Sequence, residues 1–341
     1  MSKKVLSFGE LLLRMCPDVD GEWIKQNKLS FYVGGAEANV ATALALWGIP
    51  SAYFTALPDN MLARQLAAYL EERKIDVSRV LYQGERLGLY YLPKGKDLKN
   101  AGVIYDRAHS SFAALRPGTI DWDRVLDGVG WLHFSAISPA LNAPVAAVCE
   151  EGLRAASGKG IRISVDLNYR AKLWQYGAAP TDVMPELVQH CDVVMGNLWA
   201  AEKMLGIPVD ADLAEKGGKE DYLEHAKRTS ERIVERFPRV RQVAKTFRFD
   251  KGEKGIQYYT TLFTEGKLYV SREYASDSIL DKVGSGDCFM AGLIRGLYQE
   301  RPVAEVLAFA TAAAFLKLFI PSDATDQRAE DIEKSMSLYE R

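Results

Sequence analysis

Residues Asp281 to Leu297 read DKVGSGDCFMAGLIRGL. Gly284, Ser285 and Gly286 stand just ahead of an apolar run with helical character, and Asp287 falls in its first turn. Glycines lack Cβ, so backbone N–H groups can turn toward an anion at close range. A helix that starts there adds the positive end of its dipole. A carboxylate is a poor partner for phosphate, so Asp287 needs another task. Either it complements the helix dipole, or it accepts a proton from an attacking hydroxyl while the turn stabilises charge that grows during phosphoryl transfer. Taken alone, GSGD leaves both readings open. It is not a Walker-A loop, because the G-K-[ST] ending is missing.

Outward from this turn the chain alternates. WLHFSA, IRISVDLN, DVVMGN and RQVAKTF read as strands, with PVAAVCEEGLRAASGKG, PELVQHC, WAAEKMLG and DYLEHAKRTSERIVERF as helices between them. That rhythm predicts an α/β fold with a mostly parallel central sheet covered by helices on both faces. The early VLSFGELLLRM reads as a buried strand that breaks at Gly9. Two aromatic runs, RLGLYYLP and VIYD, interrupt the alternation and predict a hairpin in a small antiparallel lid. The stretch Ala214 to Glu224 reads as a surface loop.

Bulk properties narrow the function. The chain has 341 residues, 43 basic and 45 acidic, for a net charge of −2. No global field recruits nucleic acid or an anionic membrane, so an anionic substrate needs local positive charge. Cys16, Cys149, Cys191 and Cys288 are scattered, which argues for reduced thiols rather than a disulfide framework or a structural zinc. The N-terminus has no signal-peptide pattern, and the apolar stretch from Ala308 to Ile320 is too short to span a bilayer. A cytoplasmic location is the expectation.

Two further segments carry polar groups suited to a site. In GGAEANVATALALWG, Gly34 and Gly35 precede a helix with Glu37 and Asn39 in its first turn. They are either helix-capping residues or a sugar site. Arg107 and Arg170 each follow a strand-like run, where open α/β sheets build their sites. Two converging guanidiniums could bind a carboxylate or phosphates; ordinary surface arginines are the alternative. His133, His190 and His225 read as core or surface filler, with His109 nearer a possible site. The absence of H-E-x-x-H, G-x-S-x-G and G-x-G-x-x-G argues against metalloprotease, hydrolase and dinucleotide readings.

In this order the segments resemble the PfkB (ribokinase-like) family of sugar kinases. GGAEANVATALALWGIP is similar to its N-terminal sugar-binding signature and DKVGSGDCFMAGLIRGL to its C-terminal one. FGELLLRMCPD, GERLGLYYL, VIYDRAHSS, SVDLNYRAKLW and LKLFIPSD resemble the 2-keto-3-deoxygluconate kinase group. The resemblance implies a single ribokinase-like domain over 1–341, with a lid from segments about 10–33 and 86–107 that pairs into a homodimer or higher homo-oligomer. It implies ATP and Mg2+ as cofactors, with no dedicated protein metal site. Asp287 would be the catalytic base, with Gly284, Ser285 and Gly286 forming the anion hole. Gly34, Gly35, Glu37, Asn39, Tyr90, Tyr105, Arg107 and Arg170 would hold a sugar acid. Asn168, Asn197, Thr246, Arg248 and Thr311 would meet ATP together with Gly284 and Gly286. The family's N-x-x-E motif reads Asn197-Leu198-Trp199-Ala200, a departure on the nucleotide side. Lys203 and Lys317 read as solvated helix residues. The rival readings are a fructokinase or another sugar kinase of the family, and a non-catalytic sugar-acid sensor.

Overall fold

A computed structural model describes residues 3–17, 23–93, 102–252 and 254–338. Its centre is a ten-stranded sheet. The strands Gln242–Lys251, Val193–Met195, Arg162–Asp166, Val129–Ser135, Lys4–Phe8, Ser51–Phe54 and Ile75–Asp76 run parallel in that spatial order. Gly255–Thr264 adds antiparallel to Gln242–Lys251, and Lys267–Val270 and Tyr274–Ser276 pair with it in turn. The fold is α/β with a mostly parallel sheet covered by helices on both faces, as the alternation predicts.

Strand period explains the two covered faces. Leu6, Phe8, Leu132, Phe134, Ile163 and Val165 point into one core, with helices Ala143–Gly158, Pro180–Val188 and Leu198–Leu205. Val5, Trp131, Val193 and Ala244 point to the other, under helices Ala36–Leu46, Ser285–Tyr298 and Val303–Lys317. His133 is buried on this second face, its Nδ1 3.0 Å from Ser164 Oγ.

One expectation is extended and two change. VLSFGELLLRM breaks at Gly9 as expected, but the part after the break is also a strand: Lys4–Phe8 enters the large sheet, and Leu12–Cys16 enters a separate four-stranded sheet. The chain leaves the first sheet at Gly9 because it crosses the Glu37 side chain, which a Cβ there would meet at 2.2 Å. The small sheet is mixed rather than antiparallel. Leu12–Cys16 pairs antiparallel with Ser30–Gly34 but parallel with Gly88–Tyr91, and the predicted hairpin partner Ile104–Asp106 is antiparallel to Gly88–Tyr91. Residues 18–22 and 94–101 of the two segments lie outside the described residues. Finally, Ala214 to Glu224 is largely helical, in Leu213–Lys216 and the start of Lys219–Arg236. The two glycines between them suggest a loop, yet Gly218 N–H donates to Asp221 Oδ2 at 2.7 Å and opens the long helix as its N-cap.

Helices Ser285–Tyr298 and Val303–Lys317 approach closely at glycines. A Cβ on Gly292 would stand 2.6 Å from Ala310 Cα, and one on Gly296 2.7 Å from Val306 Cγ2. Alanine at position 292 gains helix propensity of about 1 kcal/mol. The clash is with backbone, however, so it forces the helices apart at about 1–3 kcal/mol. Gly292→Ala is therefore expected to lower the thermal midpoint; a midpoint at or above wild type shows that the two helices are not held this close.

Candidate active site

Strand order reverses between Lys4–Phe8 and Val129–Ser135, since the chain winds away from that pair in both directions. Open α/β sheets bind ligands at such a switch point, beyond the carboxyl ends of the strands. Glu37 fills the crevice here: its Oε1 accepts from Ser135 N at 2.9 Å and from Ser135 Oγ at 2.5 Å. Gly35, with φ 127°, brings the chain to this point, where a Cβ would lie 2.5 Å from Glu10 O. A cavity of about 580 Å³ opens above these strand ends.

The turn Gly284–Gly286 and Asp287 form part of its wall. Gly284 has φ 76°, and a Cβ there would collide with Asp323 O at 1.8 Å, so no other residue fits. Ser285 Oγ donates to Ala314 O at 2.9 Å, which pins the turn to the Val303–Lys317 helix. Asp281 precedes the turn, and its Oδ1 accepts from Val283 N at 3.0 Å. Asp287 is buried and accepts a 2.7 Å hydrogen bond from Asn39 Nδ2. Burial pushes its carboxyl up to about 7; Asn39 and Arg170 act against that rise, and Asp166 and Glu37 add to it. Burial likewise lifts Glu37 to about 7 and Asp166 to about 6.

Of the residues expected on the sugar side, Gly35, Glu37, Asn39, Tyr90, Tyr105, Arg107 and Arg170 all line this cavity. Gly34 stands behind the wall, where a Cβ would lie 3.0 Å from Asp323 Oδ2 and 3.4 Å from Tyr90 Cε1. Tyr90 OH donates to Asp323 Oδ2 at 2.6 Å. Arg107 is buried, with its Nε 2.5 Å from Glu10 Oε2, so Glu10 fixes the plane of the guanidinium. Arg170 Nη1 donates to Tyr169 O at 3.0 Å, and its charge reaches both Asp287 and Asp166. His109 is exposed and does not line the cavity.

Of the residues expected to meet ATP, Asn168, Asn197, Thr246, Arg248, Gly284 and Gly286 line the cavity. Asn197 also caps the Leu198–Leu205 helix, its Oδ1 accepting from Ala200 N at 2.7 Å. Thr311 is not brought there: it is fully buried, bonded to Leu307 O and Thr260 Oγ1, both at 2.6 Å. Lys317 corrects another expectation. It is fully buried, not solvated, with Nζ donating to Val283 O at 2.9 Å and Ile320 O at 3.1 Å. Sequence reasoning also missed Glu10, Asp166, Lys282 and the aromatic lining of Trp199, Tyr222 and Phe249. Trp199 does carry a signal, as a large aromatic beside the altered motif position.

A buried carboxylate near neutrality, a glycine turn at a helix start and a facing arginine in one crevice make an arrangement suited to phosphoryl transfer onto a hydroxyl. Residues 2–327 match the family described as pfkB family carbohydrate kinase. The chain belongs to that family. It is a phosphotransferase with an alcohol group as acceptor, acting on a carbohydrate. The 2-dehydro-3-deoxygalactonokinase of Haloferax volcanii is 28% identical over 337 residues, covering 98% of this chain and 96% of that protein. The crystal structure of 2-dehydro-3-deoxygluconokinase from Thermotoga maritima superposes with a TM-score of 0.88 at 33% identity, covering 98% of this chain and 99% of that one. A probable fructokinase-3 of Arabidopsis thaliana is 24% identical, covering 95% of this chain and 90% of its own. Among the described residues no helix is long and apolar enough to cross a membrane.

The raised carboxyl of Asp287 makes a stability prediction with a definite sign. Its folded value of about 7 lies above the ordinary 3.8. Its contribution is therefore present in acid and lost as pH rises through about 7. Asp287→Asn keeps position 287 neutral at every pH. The variant should melt above wild type at about pH 8, and the gap should close by about pH 4. A gap that is absent at alkaline pH, or that grows toward acid, rules out a buried, raised carboxyl at this position.

Proposed function

We propose that this kinase transfers the γ-phosphoryl group of ATP to the C6 hydroxyl of a 2-keto-3-deoxy sugar acid, such as 2-keto-3-deoxygluconate. The observation that carries the reading is the presence of Arg107 and Arg170 in the same cavity wall as Asp287. A substrate carboxylate pairs strongly with guanidiniums, and a neutral sugar gains less from them. The two relatives named for keto-deoxy sugar acids support the same class.

In this reading Asp287 takes the proton from the attacking hydroxyl, and Asn39 holds the carboxylate toward it. A base near pH 7 is well matched to that task. The N–H groups of Gly284, Ser285 and Gly286 receive the transferring phosphoryl oxygens. Tyr90, Tyr105, Arg107 and Arg170 orient the acid, and Asn168, Asn197, Thr246 and Arg248 meet the nucleotide. The small sheet acts as the lid that keeps water from the reacting phosphate. Magnesium suits the donor set. This ion commonly takes one or two carboxylates with phosphates and waters, and the buried Asp166 lines the cavity. Asp166 would be its protein-side carboxylate, and the ion would neutralise phosphate charge.

The fructokinase relative makes a neutral sugar the second reading. A coupled assay with MgATP over 2-keto-3-deoxygluconate, 2-keto-3-deoxygalactonate, fructose and ribose separates the two. We expect kcat/KM for a keto-deoxy acid to exceed that for fructose; the reverse order defeats the proposal. With the preferred acid, Asp287→Asn should lower kcat about 100- to 10,000-fold, and turnover close to wild type removes Asp287 as the base.

Arg170→Ala should raise KM for the acid about 10- to 100-fold, the effect of losing one charge-assisted hydrogen bond. An unchanged KM for the acid would mean that Arg170 does not bind its carboxylate.

A further inference from the structure

Lys317 is a buried charge that the proposed chemistry does not use. Its side chain is fully buried at the end of the Val303–Lys317 helix. The ammonium donates to two backbone carbonyls, Val283 O at 2.9 Å and Ile320 O at 3.1 Å. Asp281, Asp323 and the Cys288 thiol surround it, with the Arg14 guanidinium beyond. Its stem lies against Gly284, 3.3 Å from where a Cβ would stand. Burying an ammonium costs several kcal/mol unless close oxygens replace its water. Burial indeed lowers the pKa of this amine, while the two aspartates act to raise it.

The contact at Val283 O has a direct consequence. In a trans peptide the C=O and the next N–H point in opposite directions. Holding Val283 O toward Lys317 therefore aims the Gly284 N–H away from Lys317. Val283 and Gly284 both line the cavity. We propose that Lys317 is a positioning residue, an internal monovalent cation that fixes the Val283–Gly286 turn and aims its N–H groups at the transferring phosphoryl. This rests on the reading of that turn as the anion hole. Arg14 and Lys317 also balance Asp281 and Asp323, so the protein presents no net negative charge behind a turn that must accept a polyphosphate.

An ammonium in a carbonyl nest does the work that potassium or ammonium ion does in water-excluded oxygen cages. The wild-type enzyme therefore has no need of an added monovalent cation. An emptied nest, in contrast, should accept one.

The test measures turnover with the sugar the wild type phosphorylates best, in tetramethylammonium, sodium, potassium and ammonium chloride at equal ionic strength. Wild-type rates should agree within about twofold across the salts; a wild type that requires potassium or ammonium overturns the proposal. Lys317→Met should lower kcat about 100- to 1,000-fold, the effect of losing one oxyanion donor, with KM for the sugar within about threefold. A folded Lys317→Met with wild-type kcat overturns it. Lys317→Ala should regain at least tenfold in rate in ammonium or potassium over tetramethylammonium, and its thermal midpoint should rise in the same salts. A Lys317→Ala that shows neither response also overturns it. Because the assay uses whichever sugar is phosphorylated, a preference for fructose would defeat the substrate proposal and leave this test intact.

Discussion

The arrangement of the site depends on one buried guanidinium. Arg14 belongs to the small sheet, yet its Nη2 is 2.8 Å from Asp281 Oδ2 and its Nε 3.0 Å from Asp323 Oδ1. All three side chains are out of solvent. Burial opposes the charge on Arg14, but Asp323, Tyr90 and Asp281 outweigh it and hold its pKa above the usual arginine value. The Tyr32 ring covers it at 4.7 Å. Breaking such a pair by removing one partner costs about 3–5 kcal/mol, because the other charge is left buried and alone. The small sheet, the segment that leads into the glycine turn and the loop after the last core helix are thereby held as one unit. Tyr90 extends that unit to the cavity wall through Asp323.

The same rigidity explains how three acids share one crevice. Glu37, Asp166 and Asp287 are all raised by burial, and Asp166 and Glu37 each raise Asp287 further. Three full negative charges at this spacing would repel one another and an incoming polyphosphate. Near neutrality the cluster carries part of that charge as protons, which ligand binding can displace. Arg170 offsets some of the rest. Glu37 accepts twice from Ser135 through Oε1, so it braces the switch point, whereas among the described residues Asp287 has Asn39 as its side-chain hydrogen-bond partner. Two acids of similar pKa thus have different freedom to act, and Asp287 is the one placed beside the turn.

Local signals made much of this legible in the sequence. The strand–helix rhythm carries the parallel sheet, and GSGD carries the turn, because glycine spacing and a first-turn acid act within a few residues. The signals that failed are those whose partner is distant in the chain. Glu10 looks like a solvent-facing acid after a strand until Arg107 and Ser110 are brought to it. Lys317 looks solvated because lysine usually is. Its flanks, AFLKLF, are apolar on every side of the helix, and that was the available clue. Gly217 and Gly218 point to a loop only while the Asp221 cap is out of view. Thr311 enters the expected nucleotide set only through the family resemblance, and its hydroxyl instead satisfies a carbonyl one turn back in its own helix.

The altered motif at Ala200 is best understood through charge. Glu202, two residues on, does not replace the missing carboxylate: its Oε1 accepts from Val209 N at 3.3 Å, and its other oxygen is 3.3 Å from Lys203 Nζ. On the proposed nucleotide side the cavity therefore has one acid fewer than the family motif implies, and Lys282 in the same lining pairs with Asp250 at 2.7 Å. In place of a carboxylate this wall offers Trp199, Tyr222 and Phe249, with Tyr222 edge-on to Phe249 at 5.0 Å. Rings of this kind present large flat surfaces to a ligand at low entropic cost. The wall has exchanged an electrostatic contact for an apolar one. In the proposed reading phosphate charge is then met by the glycine turn, the helix start behind it and the cations nearby, which places still more weight on the buried ion network that holds the turn.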